Sequence, residues 1–106
     1  MQVLKVLITG FIDDHQPGWV ECRFADAWGN EHIVQDKVPI LTDKDLDANS
    51  EYPQDGVIAF EFIKTWTDQD GRTIYKINTE KPWGVETIKG LTEFDILEEQ
   101  ITELKH

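Results

Sequence analysis

Oxygen-bearing side chains alternate through Asp43-x-Asp45-x-Asp47-x-Asn49-x-Glu51, the stretch of this chain best suited to chemistry. Oxygens at every second position wrap calcium in an EF-hand loop. Here Ala48 stands where such a loop requires glycine, and Gln54 where it requires a bidentate glutamate. No amphipathic helices flank the segment. It reads instead as an acidic loop that offers Asp43, Asp45, Asp47 and Glu51 to a partner, with no metal and no cofactor expected.

The four tryptophans are the second resource, more than the core of so short a chain requires. Trp19 follows a turn, Trp28 and Trp83 sit beside glycines, and Trp66 ends an apolar run. An indole on a turn can anchor a protein interface or stack on a sugar or base, or it can cap the end of a sheet. Trp28 and Trp83 are the expected anchors. Lys81-Pro82-Trp83-Gly84 is the most individual stretch, because Pro followed by Trp-Gly fixes an aromatic on a rigid turn.

Nucleophiles and ligand-spaced groups are sparse. Cys22 lies between Glu21 and Arg23 on the same side as Val20 and Phe24, which reads as a small core residue. Ser50 is the only serine and lacks a G-x-S-x-G setting. His15 adjoins Asp13 and Asp14 on a loop, with His32 and His106 distant in sequence and no paired-ligand spacing among them. Phosphate-cradling glycine motifs are absent from the sequence. An enzyme is therefore not expected.

Net charge is −11 and is unevenly spread. Residues 43–55 carry five acids against Lys44, net −4, and residues 91–106 carry five against Lys105, again −4. Residues 56–90 carry five of each sign. Nucleic acid and anionic lipid would be repelled, and a cationic protein surface attracted. The N-terminal apolar run is short and interrupted by Lys5, unlike a signal segment, and no run is long enough to span a membrane. With a single cysteine, the expected location is cytoplasmic.

The elements that must position these groups are strands. Period-two alternation predicts them at Gln2–Ile12, Trp19–Ala27, Glu31–Val38, Gly56–Trp66, Thr73–Thr79 and Thr92–Leu97. Both faces of the first are apolar, so it should be central. Asp68-Gln69-Asp70-Gly71 predicts a hairpin turn. Residues 42–55 predict a short helix or an irregular loop, and the C-terminal stretch a short helical or frayed tail. Three strands, a non-β insertion and two further strands are the layout of an OB-type barrel. The expectation is one all-β domain over 1–106, a five- to six-stranded antiparallel barrel.

The expected function is a non-enzymatic acidic binding module for a basic protein partner, with an inhibitor or immunity-like role as its analogue. Its oligomeric state stays open. The alternative is a carbohydrate or small-ligand binder built on a tryptophan platform.

Overall fold

Alternating burial along the N-terminal strand organises the molecule. In the computed structural model, which describes residues 1–104, β1 (Gln2–Asp13) buries Val3, Leu4, Val6 and Ile8. It is central, as its two apolar faces required. β1 pairs antiparallel with three strands: β2 (Trp19–Ala25), β4 (Gln54–Ala59) and β8 (Ile101–Glu103). Register shifts between Ile8 and Gly10 and between Phe11 and Asp13 mark where β1 departs from regular pairing with β2. β3 (Glu31–Lys37) completes the sheet in the order β3-β2-β1-β4.

A second antiparallel sheet holds β5 (Glu61–Thr67), β6 (Thr73–Asn78) and β7 (Glu93–Leu97) in that order. The β5–β6 turn follows the predicted Asp-Gly chemistry, with Gly71 at φ +78° and Asp68 Oδ1 accepting from the amides of Asp70 and Arg72. The core lies between the sheets, from Leu4, Ile8, Val20, Cys22 and Ile58 to Ile77, Phe94 and Ile96.

Four expectations change. Strand pairing closes no ring among the described residues, so the fold is two antiparallel sheets and not a closed barrel. The fourth predicted strand is two: Phe60 interrupts it, and the chain passes from one sheet to the other there. The helix lies earlier than 42–55, as α1 (Val38–Leu41) with Pro39 in its first turn, where proline's missing N–H costs nothing. Residues 42–53 are the irregular alternative, and 54–55 already belong to β4.

The tail is neither a regular helix nor frayed within the described residues. After a 3-10 turn at Glu98–Gln100, β8 pairs Ile101 with Leu4 and Glu103 with Gln2. Leu91, Phe94, Leu97 and Ile101 mimic a helical stripe, but β2 begins its pairing with β1 only at Leu7. That leaves the first residues of β1 an unmatched edge, and pairing the tail there satisfies its backbone groups. Gln100 secures the turn by accepting from the Leu97 amide at 2.8 Å and donating to the Ala25 carbonyl at 2.7 Å. Residues 105 and 106, the last of the predicted tail, lie outside the described residues.

Candidate functional site

The acidic loop is held from within. Leu46 is buried in the core and pins the segment between exposed Asp45 and Asp47. Asp47 closes the loop on itself: its Oδ1 accepts from the Asn49 amide at 2.8 Å, and its carbonyl accepts from the Tyr52 hydroxyl at 2.8 Å. Ser50 Oγ accepts from the Asp47 amide at 3.0 Å, which accounts for the lone serine as a loop residue. Asp43, Asp45 and Glu51 are exposed, and none is ion-paired among the described residues. The carboxylates are strung along the loop; no group of three or more His, Cys, Asp or Glu is gathered as metal ligands would be among the described residues.

Trp83 is positioned by Thr79, which is almost completely buried. Thr79 Oγ1 donates to the Val85 carbonyl at 2.7 Å, the Val85 amide to the Thr79 carbonyl at 3.0 Å, and the Gly84 amide to the Glu80 carbonyl at 2.6 Å. Gly84 takes φ +67° to complete the turn. The half-buried indole packs against the core and forms one wall of an open groove of about 400 Å³. Pro39, Ile40, Leu41 and Thr42, the β4 residues Asp55, Gly56 and Val57, and Leu104 complete the lining. Asp43, Lys44 and Asp55 add charge to a lining that is otherwise apolar except for Thr42. Such a volume lies within the range of about 300–1,000 Å³ usual for small-ligand sites. A second hollow of about 380 Å³ lies between β3 and the 87–91 loop, beside His32.

The structure thus brings Asp43 and Trp83 together and leaves Trp28 elsewhere. Trp28 is 51% exposed on the β2–β3 turn, its Nε1 donating to Asp95 Oδ2 at 3.1 Å. The Arg72 guanidinium lies over its ring at 5.5 Å. Lys37 covers Trp19 at 5.9 Å and Lys64 covers Trp66 at 5.4 Å. Among the described residues, Trp83 alone carries no cation on its ring. The Trp19–Lys37 pair is a direct cross-strand pair, a signal that only the register of β2 and β3 reveals.

Neither of two further polar features reads as chemistry. Cys22 is buried, and burial, with the charges of Asp36 and Glu21, pushes its thiol up to about 12, so it stays un-ionised. His32 Nε2 lies 2.9 Å from Asp26 Oδ2, with Phe24 and Phe94 packed on the imidazole. Burial raises the Asp26 carboxyl, but His32 and the amides of Asn30 and Trp28 outweigh it and hold the group below its ordinary value. That pair fixes the β2–β3 turn. His15, the histidine that adjoins two acids in sequence, lies in the open with its Nδ1 3.4 Å from Asp13 Oδ1.

Known protein families, curated protein sequences and solved structures contain no match to this chain. The groove's own geometry therefore carries the functional argument. Among the described residues, no helix is long and apolar enough to cross a membrane.

Proposed function

We propose that this protein is a non-enzymatic binding module that engages a basic protein partner through the acidic loop and the groove beside it, in the manner of an inhibitor or immunity-type protein. One observation carries the reading: Asp43, at the head of a segment of net −4, shares a groove with Trp83, the indole without a cation of its own. Charge complementarity would speed encounter, and an apolar contact on Trp83 would slow dissociation. Asp45 and Glu51 extend the acidic surface; Asp47 contributes charge while holding the loop. The un-ionised Cys22 and the loop-bound Ser50 support a role without covalent chemistry. The order β3-β2-β1-β4 followed by a hairpin supports reading the two sheets as an opened OB-like barrel. A cytoplasmic setting belongs to the same proposal, supported by a lone buried thiol.

The test compares the protein with its Asp43→Asn, Asp45→Asn, Asp47→Asn triple variant as bait for basic proteins at low and moderate salt. The expected result is a cationic partner that is lost on raising salt and lost with the variant. Equal capture by both baits removes the reading. Exposed Trp28 favours a second one, a carbohydrate or small-ligand platform. It predicts a salt-insensitive fluorescence change with glycans that disappears in Trp28→Ala.

A further inference from the structure

β4 ends its sheet. It pairs with β1 and with no other strand, and among the described residues no backbone–backbone hydrogen bond outside that pairing involves 54–59. In an antiparallel pair, alternate residues of an edge strand turn their N–H and C=O groups away from the partner. Three consecutive residues of this edge strand, Asp55, Gly56 and Val57, line the groove together with Trp83, Ile40, Leu41 and Leu104. Gly56 permits close packing here: a methyl would fall 2.8 Å from the Ile8 side chain and 3.1 Å from the Leu41 carbonyl. Unpaired edges of this kind are templates for a further strand, and natural proteins blunt them with charge, bulges or covering loops. β5 is blunted, by a register shift between Phe62 and Lys64 and by the lysine itself. β4 keeps regular register from Gln54 to Ala59.

We infer that the groove receives an extended basic segment of the partner, added as a strand on the outer edge of β4, with an apolar side chain against Trp83 and cationic neighbours facing Asp43 and Asp55. The inference rests on the binding reading above and specifies its mode. Backbone hydrogen bonds would supply affinity and side-chain alternation the specificity. A strand rises about 3.3 Å per residue, so the span Asp55–Val57 matches about three residues of ligand. Acidic rims and an apolar wall select a basic–apolar–basic pattern. Lys44 on the same rim disfavours a wholly cationic segment.

The probe is acetyl-Lys-Val-Lys-Val-Lys-Val-Lys-amide, titrated against the full chain by tryptophan fluorescence, with backbone amide shifts of residues 54–59 followed by NMR. Two further peptides carry N-methyl groups on the lysine amides only or on the valine amides only, which preserves charge and side chains. An added strand presents only one of these sets to β4. One methylated peptide is therefore expected to bind like the parent and the other to lose about tenfold or more, from two or so absent ladder bonds. Asp55→Asn and Trp83→Ala, checked for folding by circular dichroism, should each weaken the parent peptide. Equal binding of both methylated peptides, or no shift at 54–59, overturns strand addition. Absence of peptide binding with a basic protein still captured through Asp43, Asp45 and Asp47 also overturns it and leaves the binding reading standing. Absence of both removes the two together.

Discussion

The chain from Gln54 to Thr67 is extended almost throughout, yet the halves on either side of Phe60 have opposite fates. In β4, Gly56, Ile58 and Ala59 are buried. In β5, every residue except Trp66 is exposed, including Phe62 at 49% and Ile63 at 42%. The apolar content of the two halves is similar, so composition does not separate them. Packing does: both are edge strands, but β4 pairs with the central strand β1 and buries Gly56, Ile58 and Ala59, whereas β5 pairs with β6 and leaves nearly all its side chains exposed. Apolar alternation reports that a strand can be half-buried; whether anything arrives to bury it depends on the rest of the chain.

The sharpest way to break this comparison is truncation in each half. Ile58→Ala, at a fully buried site, is expected to cost about 2–5 kcal/mol in chemical denaturation. A cost below about 1 kcal/mol would mean that β4 is no better anchored than β5. Gly56→Ala comes next, at about 1–3 kcal/mol, because the added methyl meets Ile8 and the Leu41 carbonyl with little space to yield. Phe62→Ala should cost about 1 kcal/mol or less, since it removes mainly the edge contact with Tyr75 at 5.7 Å between ring centroids. A larger loss in the same denaturation experiment would show β5 to be covered in solution.

The smallest expected effect contrasts the turns of the two sheets by acid titration. Asp26, in the β2–β3 turn, sits below its ordinary value for the reasons given above. Asp68, in the β5–β6 hairpin, is also lowered, first by the Arg72 amide and then, against the opposing effect of burial, by the Arg72 side chain and the Asp70 amide. A carboxyl depressed in the fold adds stability above its unfolded value, about pH 3.9, and loses it as pH falls through the lower folded value. Thermal midpoints followed from neutral pH to about pH 2 should therefore fall less steeply in Asp26→Asn than in the parent chain. Asp68→Asn should flatten the curve less, because Arg72 is 38% exposed and His32 only 13%.

How much was legible varies along the chain. The strands of 2–13, 19–25, 31–37 and 73–78 follow from alternation with short-range turn chemistry, and Cys22 was readable as core from Val20 and Phe24 beside it. The tail was not readable. Its stripe fits a helix as well as a strand, and the deciding fact is the vacant edge of β1, nearly the whole chain away. Of the site, Asp43 and Trp83 were each visible, but their meeting and the wall of Ile40, Leu41 and Val57 between them were not. The cations over Trp19, Trp28 and Trp66 were equally hidden, and they are what sets Trp83 apart.

By itself, then, the sequence determined an antiparallel β protein with an acidic segment at 43–55, because period-two alternation, Asp-Gly turns and clustered carboxylates act over a few residues. Tertiary structure alone decided that the strands form two sheets, that the tail pairs with one edge of β1, and that residues of the edge strand β4 line a groove. Those outcomes depend on which backbone edges remain unpaired after the local elements have formed, and an unpaired edge is a property of the assembled sheet.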